Sequence, residues 1–382
     1  MEIKLYSAPT AETPAFVPLA VTYDAPSIQY VENFYTFGTF NFSIPAGAYN
    51  VGAFQKYLLV HINKEFWGII LSLDKNLDDS GDMLMVSGLC VKGLTSARET
   101  MPRSFSEATP SGTAGFDTAI GTTEYCIKHF VQSNFFTAAS PTRTVPDLII
   151  APDLGRGLPN DRYMTRYDRL STVIQELGEA AEIGYTITPN LATGTLVFDC
   201  LEGADRSAEQ STNPRMIFSV DRKNIAAMQY QNNDMNMRNL FYATLSGSTF
   251  EDEAYTATYT RNDEPLPSGI YRWEQHLDIS ATHPTPGQEY DELKRLALIR
   301  AQSYTTVEAF SAVVLDTQQK YGVDYSVGDI VTVQNREWGV TMNTRLTAMA
   351  TNASDGSVTR TATFGTAPVN FIARLRRQIR GG

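Results

Sequence analysis

The sequence predicts an α+β protein that is mainly β, with two related β-barrel domains at its ends and a small α+β region between them. Short apolar runs rich in β-branched and aromatic residues recur over residues 1–98 and again after residue 306. Between these regions, residues 167–183 carry the apolar spacing of an amphipathic helix. A polar turn followed by tryptophan and glycine occurs once near each end of the chain.

The N-terminal region has the pattern of a barrel or a sandwich. Its predicted strands are separated by clusters of turn residues and lie at 17–23, 40–44, 57–62, 67–71 and 83–89. One of these clusters, at 78–82, is rich in carboxylates and offers oxygen ligands that suit calcium. Because it lacks the spacing of an EF-hand loop, a solvated hairpin turn is the better interpretation.

The middle of the chain is predicted to contain two helices and a small sheet. Apolar residues favour a helix over 122–135, and a clearer one spans about 167–183. Gly184 stands where a C-terminal glycine cap is expected. Strands are predicted at 148–150, 185–188 and 195–201.

Strands return in the last part of the chain. They are predicted at 216–220, 226–231 and 240–245, and residues 246–262 form a hairpin or a long loop. A further helix is expected to begin at Thr285, because Pro286 fits its first position and Gln288 completes a capping box, and to continue to about Tyr304. The final strands are predicted at 306–315, 330–333, 340–348 and 358–364.

These elements suggest five segments. Residues 1–98 form the N-terminal barrel, 99–245 the middle α+β domains, and 246–306 a connecting hairpin and helix. Residues 307–368 form the C-terminal barrel, and 369–382 are a basic tail.

Composition excludes several classes of protein. The net charge of −11 argues against a protein that wraps nucleic acid by neutralising phosphates, but it suits a surface that DNA passes without binding. The three cysteines are widely spaced, which predicts buried, reduced thiols rather than disulfides or a zinc site. The sequence shows neither a signal peptide nor a membrane span, so we expect synthesis in the cytoplasm without stable membrane association.

No motif of known chemistry emerges from the sequence. The four histidines show no tight ligand spacing, and the chain has no GxSxG elbow and no P-loop. The carboxylate pair Glu176 and Glu179 is placed on the exposed side of a helix, and Glu251, Asp252 and Glu253 lie in a polar segment. We therefore expect no catalytic residues, no cofactor and no metal, and hence no enzyme.

The tryptophan–glycine repeat is the strongest internal similarity. Asn63-Lys64-Glu65-Phe66-Trp67-Gly68 resembles Asn335-Arg336-Glu337-Trp338-Gly339. One explanation is chance between two hairpins of similar chemistry. The other is that the two end domains are duplicated barrels, in which Trp67 with Gly68 and Trp338 with Gly339 are equivalent and both tryptophans are core anchors.

The C-terminal tail differs from the rest of this acidic chain. It carries four arginines among apolar residues at near-helical spacing, namely Arg374, Arg376, Arg377 and Arg380. This pattern suggests docking onto an acidic partner surface, and a frayed tail is the alternative.

Four stretches of the chain carry a resemblance to a known family. The most specific is the segment YGVDYSVGDIVTVQNREWGVTM at 321–342. The others are YVENFYTFGTFNFSI at 30–44, the paired strands over 66–98, and the helix–strand–strand unit from Arg169 to Ser207. Together they resemble the hub proteins at the tips of siphophage tails, in particular the tail-associated hub-like proteins of Gram-positive hosts, and 321–342 is similar to the last barrel segment of that family.

The resemblance implies a structural hub of the tail tip (baseplate) in the virion. It implies a homotrimer whose end domains form a ring joining the six-fold tail tube to the three-fold tip. The implied partners are the distal tail protein and tail tube protein above, tip fibre or receptor-binding proteins below, and the tape-measure protein in the lumen, with DNA only in transit. Wall-degrading modules extend many relatives, and here such activities are expected to reside on another chain or to be absent.

Two other classes of function stay open from the residues alone. A virion-associated cell-wall hydrolase needs two carboxylates in a cleft. A receptor- or glycan-binding module predicts exposed aromatic side chains on loops.

Overall fold

The computed structural model describes most of the chain. The described residues are 2–7, 16–78, 81–102, 116–136, 141–145, 147–159, 161–245, 255–260, 265–278, 305–316, 319–354 and 356–365, and within 279–304 they are Tyr290, Leu293, Lys294, Ala297, Ala301 and Tyr304.

The fold is mainly β, as predicted, and two α-helices have described bounds. These are α1 (Thr123–Phe135) and α2 (Leu170–Ala181). The strands, in chain order, are β1 (Ile3–Tyr6), β2 (Pro18–Thr22), β3 (Ser27–Asn33), β4 (Thr39–Pro45), β5 (Leu59–Ile62), β6 (Phe66–Asp78), β7 (Gly81–Cys90), β8 (Asp117–Gly121), β9 (Leu148–Ile150), β10 (Asp161–Thr165), β11 (Gly184–Asn190), β12 (Thr195–Leu201), β13 (Ile217–Ser219), β14 (Ile225–Asn233), β15 (Leu240–Leu245), β16 (Tyr255–Thr260), β17 (Glu274–Asp278), β18 (Val307–Val314), β19 (Ile330–Asn335), β20 (Val340–Ser354) and β21 (Ser357–Gly365).

The largest sheet joins the two ends of the chain. Its order is β14-β18-β21-β20-β3-β4-β7-β6-β5-β1-β2, and β19 links β13 to the first half of β20. In the middle of this order β3 pairs antiparallel with β20, from Asn33 opposite Ala348 to Ser27 opposite Ser354. Strands from the predicted N-terminal and C-terminal domains therefore share one hydrogen-bonded sheet. The duplication into two similar barrels stays a prediction.

Alternating apolar residues build the core on one face of the N-terminal strands. Phe40 and Phe42 of β4 stack at 5.8 Å between ring centroids, and Phe66 of β6 contacts both Phe40 and Tyr30 of β3. Because successive side chains of a strand point to opposite faces, this two-residue spacing fixes which face is buried. Strands β6 and β7 pair as a hairpin, with Asp78 opposite Gly81. Residues 79 and 80 of the predicted turn lie outside the described residues.

A second core belongs to the α+β middle region. Helices α1 and α2 pack with the sheet β11-β12-β9 around buried side chains that include Phe130, Ile174, Tyr185 and Phe198. Thr122 caps α1, since its hydroxyl accepts a hydrogen bond from the Tyr125 amide at 3.3 Å. The predicted helices at 122–135 and 167–183 are confirmed within a few residues.

The predicted cap at Gly184 is wrong. Helix α2 ends at Ala181, and the left-handed residue is Glu182, with φ of 56°. Gly184 instead begins β11, where a Cβ atom would lie 2.5 Å from the Phe34 ring. The glycine is required there for close packing and not for the helix terminus.

Residues 230–309 form a separate compact unit. Strand β15 pairs antiparallel with β16 and parallel with β17. Its core contains Phe241, Ala243 and Leu277 together with the helical residues Leu293, Ala297 and Ala301, which recur every fourth position. The predicted helix start at Thr285 lies outside the described residues.

Candidate functional site

Trp67 lies on β6 and is half-buried. Its ring stacks on His61 at 3.9 Å between centroids and contacts Tyr6 at 5.3 Å. Trp67 packs against the core of the middle region and not inside the N-terminal core. It therefore fixes the N-terminal strands to the α+β region.

Trp338 does not occupy a core position. It lies in the turn between β19 and β20, and 48% of its surface is exposed. The prediction of a buried anchor is therefore wrong for Trp338. The physical reason is register: Asn335 pairs with Val340 and leaves Trp338 in the loop, whereas Trp67 pairs with His61 within a ladder.

The two glycines of the repeat meet different requirements. At Gly68, an added Cβ would lie 2.4 Å from the Phe40 ring, so the position requires the absence of a side chain. Gly339 faces open space, but its φ of 66° is a left-handed turn conformation that glycine adopts without strain. The equivalence of the two hairpins in superposable barrels stays a prediction.

The tail residues Arg374, Arg376, Arg377 and Arg380 lie outside the described residues.

A polar cluster, which we call the seam, accompanies the β3–β20 pairing. Its members are Tyr30, Glu32, Glu65, Asp316, Tyr321 and Arg360. Arg360 of β21 donates to both oxygens of Glu65 at 3.0 and 2.9 Å and also pairs with Asp316. Its side chain is 13% exposed, so these pairs are partly shielded from water.

Two tyrosines extend the seam. Tyr30 donates its hydroxyl to Glu65 at 2.6 Å, and Tyr321 donates to Glu32 at 2.8 Å. Burial raises the pKa of Glu32 to about 7, and the Tyr321 hydrogen bond opposes this effect without cancelling it. The seam thus joins residues from both ends of the chain in one network.

A second network, which we call the clamp, consists of Glu124, Lys128, Arg156 and Asp199. The Glu124 side chain is fully buried, and it accepts from Lys128 at 2.6 Å and from the Arg156 guanidinium at 2.7 Å. Burial raises its pKa, but the hydrogen bonds from Arg156 and Lys128 outweigh burial and hold this pKa at about 2. Glu124 also accepts from the backbone amides of Leu154 and Arg156, so the clamp fixes the loop at 151–159.

The geometry near His129 bears on the hydrolase alternative. His129 Nε2 lies 2.8 Å from Asp117 and 3.5 Å from the Ser133 hydroxyl. A catalytic triad needs the acid on one ring nitrogen and the hydroxyl on the other. Since both partners contact the same nitrogen, this arrangement holds the buried Asp117 and does not activate Ser133.

The structure also bears on the cysteines, on metal binding and on membrane spans. All three cysteines are buried and free, and burial raises the pKa of the Cys200 thiol to about 12. Among the described residues, no cluster of three or more acidic, histidine or cysteine side chains suits a metal ion. No helix within the described ranges is long and apolar enough to cross a membrane.

Three solved tail proteins have a similar fold. The fold is similar to the 43 kDa tail protein of prophage MuSo2 from Shewanella oneidensis (13% identity, 95% of this chain and 98% of that chain covered, TM-score 0.55). It is also similar to prophage tail protein gp18 from Listeria monocytogenes (13% identity, 100% of both chains covered, TM-score 0.52). A third similar structure is the tail protein from Neisseria meningitidis (14% identity, 95% of this chain and 96% of that chain covered, TM-score 0.55). No curated protein matches the chain.

The family described as Siphovirus ReqiPepy6 Gp37-like protein matches residues 19–366. This match covers the seam, the clamp and nearly all of the described strands. The predicted siphophage tail protein is thereby confirmed. The chain belongs to the Siphovirus ReqiPepy6 Gp37-like family of phage tail proteins.

Proposed function

We propose that this protein is a non-enzymatic hub of the tail tip. Three copies form a ring that joins the six-fold tail tube to the three-fold tip and surrounds the channel for the tape-measure protein and DNA. The distal tail protein and tail tube protein bind above, and tip fibre or receptor-binding proteins bind below. The copies assemble in the bacterial host cytoplasm and remain in the virion.

The shared sheet is the observation that carries this proposal. The pairing of β3 with β20 and the seam place both ends of the chain in one β-structure, as a collar built from the end domains requires. The net charge of −11 agrees with a channel that DNA passes without binding. Closed symmetric rings are the usual form of homo-oligomers, and family membership supplies the tail context.

Two measurements test the ring. Native mass spectrometry of the purified chain should give three times the mass of the monomer, and cryo-electron microscopy of tails should show a three-fold ring at the tip. A chain that is monomeric at all concentrations and absent from tail particles contradicts the hub function.

One loop favours a second candidate function, the binding of a host-surface glycan. Ile270, Tyr271 and Trp273 are 83%, 75% and 50% exposed. The Asn239 side chain holds this loop in place, donating to the Tyr271 carbonyl at 2.7 Å and accepting from the Trp273 amide at 2.9 Å. Fixed, exposed aromatic rings with polar neighbours provide both an apolar surface and hydrogen-bonding groups for a ligand.

A glycan array separates this candidate from the hub. If the loop binds sugars, Trp273→Ala should abolish the signal, and Trp338→Ala, which removes a similarly exposed tryptophan from another turn, should leave it unchanged. An array on which the wild-type chain gives no signal contradicts the glycan function and leaves the hub unaffected.

A further inference from the structure

The largest sheet has two free edges. Strand β2 is its last strand on one side and pairs with β1 alone, and β14 is its last strand on the other side and pairs with β18. Within the described part of the chain, no strand pairs with the outer edge of either one. Each edge therefore presents backbone amides and carbonyls that another strand can pair with.

Strand β2 also carries an apolar face. Val17, Leu19, Val21 and Tyr23 alternate along the chain and are 37%, 48%, 37% and 63% exposed. The intervening Thr22 is 5% exposed, and Ala20 packs against the N-terminal core. The side chains on the outer face of β2 are thus apolar, like those of a core, but they are exposed to solvent.

Neither edge carries the charges that usually protect a free edge. Strand β2 reads Pro-Leu-Ala-Val-Thr, and β14 reads Ile-Ala-Ala-Met-Gln-Tyr-Gln-Asn-Asn, so neither contains a charged residue. Natural proteins commonly place lysine or other charges on edge strands to prevent unwanted pairing. Pro18 protects only the first residue of β2, because proline lacks an amide hydrogen.

We infer that β2 of one copy pairs with β14 of a second copy. This inference rests on the proposed ring, since it names the strands through which that ring closes. A cyclic trimer needs two different surfaces on each copy that bind each other. The two uncharged edges meet this need, because an edge strand binds an extended strand through its backbone and each edge satisfies the unpaired groups of the other. Pairing also places the side chains of the second copy's strand beside Leu19 and Val21 on the same face of the sheet.

Substitutions on each edge test the pairing. We expect Leu19→Lys/Val21→Lys on β2, and separately Ala226→Lys/Ala227→Lys on β14, to raise the concentration at which trimers dissociate by at least tenfold in sedimentation or native mass measurements. These four positions are exposed, so the monomer should keep its circular dichroism and melting temperature. Val358→Lys, at a 49% exposed position of β21, is the matched control and should leave the trimer unchanged.

Mixing the two edge variants makes the test sharper. Each variant keeps one intact edge, so a mixture should form dimers through the intact β2 of one variant and the intact β14 of the other, and it should not form trimers. Hydrogen exchange on the wild type gives a readout that does not depend on variants. The amides of Leu19–Thr22 should exchange more slowly in the trimer than in the diluted monomer.

The outcomes separate the two proposals. The mass of the wild type tests the ring itself. A wild-type trimer that both variant pairs leave unchanged, or whose β2 amides exchange as fast as in the monomer, overturns the edge pairing and leaves the ring in place. If a lysine variant fails to fold, the exchange result on the wild type decides.

Discussion

At the residue scale, Arg360 makes most of the charged contacts across the seam. Its guanidinium contacts Glu65 from the turn between β5 and β6 and Asp316 from the segment after β18, and it lies over the Tyr321 ring at 5.6 Å. Removing one partner of a shielded ion pair costs more than the pair contributes, because the remaining charges stay desolvated. Arg360 is therefore the residue on which the joining of the two chain ends most depends.

We predict that Arg360→Met lowers the free energy of unfolding by about 2–3 kcal/mol, less than for a fully buried pair because both carboxylates are partly exposed. Urea unfolding followed by tryptophan fluorescence measures the loss. Arg169→Met is the control, since its pair with Glu99 is exposed and should contribute about 0–1 kcal/mol. Equal effects for the two variants would show that the seam does not stabilise the fold.

Glu32 should make stability depend on pH. Its pKa is raised to about 7 in the folded protein, so between the ordinary value of 4.5 and about 7 the folded state holds a proton that the unfolded state releases. The stability that this proton provides is complete below pH 4.5 and is lost as the pH rises through 7. Glu32→Gln should therefore be more stable than the wild type at pH 8 by about 3 kcal/mol, with no advantage near pH 4.

Unfolding curves at pH 4, 6 and 8 measure this difference. Glu337→Gln is the control, because Glu337 is exposed in the turn after β19 and its substitution should not change the pH dependence. A Glu32→Gln variant whose stability follows that of the wild type at every pH would contradict the assignment of the proton to Glu32.

At the element scale, the clamp shows how a helix fixes a loop. Glu124 in the first turn of α1 accepts hydrogen bonds from the guanidinium and from the backbone amide of Arg156. Lys128, one turn later, forms ion pairs with Glu124 and with Asp199. The loop at 151–159 exposes Leu154 and is nevertheless held by buried charges.

We predict that Glu124→Gln destabilises the protein by about 3 kcal/mol, because it leaves Lys128 and Arg156 with Asp199 as their single carboxylate. Hydrogen exchange should show faster opening of the amides of Leu154 and Arg156. The control is Glu209→Gln, at an exposed position before β13, where we expect little change. Unchanged exchange in the loop of the Glu124 variant would show that the clamp does not hold it.

The packing of β4 on β6 depends on Gly68. We predict that Gly68→Ala costs about 2 kcal/mol or more, since the added methyl group would lie 2.4 Å from the Phe40 ring and would force this buried side chain to move. Gly52→Ala meets no atom within 4 Å and serves as the control. Thermal melts of the two variants measure the difference, and equal melting temperatures would contradict the close approach of Phe40.

At the scale of the whole molecule, the basic tail should affect assembly and not folding. We predict that replacing Arg374, Arg376, Arg377 and Arg380 with glutamine leaves the melting temperature unchanged and reduces incorporation into tail particles, because it removes the charges that we expect to dock onto an acidic partner. Quantitative mass spectrometry of purified tails measures incorporation. If the variant is incorporated into tail particles as well as the wild type, the C-terminal segment has no docking role.

The parts of the fold with local signals were predictable. Helices α1 and α2 and most strands of the large sheet follow from apolar spacing within short windows, and the hairpin of β6 and β7 follows from its turn residues. Strands β1, β8, β10 and β17, of four or five residues each, were missed because such short segments lack a distinct pattern. Gly184 and Trp338 were misassigned because their surroundings come from Phe34 and from strand register, which local sequence does not specify.

The sequence by itself determined that this is a mainly β tail protein with two amphipathic helices, since periodicity and the 321–342 motif are local properties. The tertiary structure alone decided that β3 pairs with β20, that Arg360 binds Glu65, and that the sheet ends in two uncharged edges. These contacts join residues up to 327 positions apart, as in the pairing of Ser27 with Ser354. Backbone pairing is chemically the same for any two strands, so the choice of partner depends on how the whole chain buries its apolar faces.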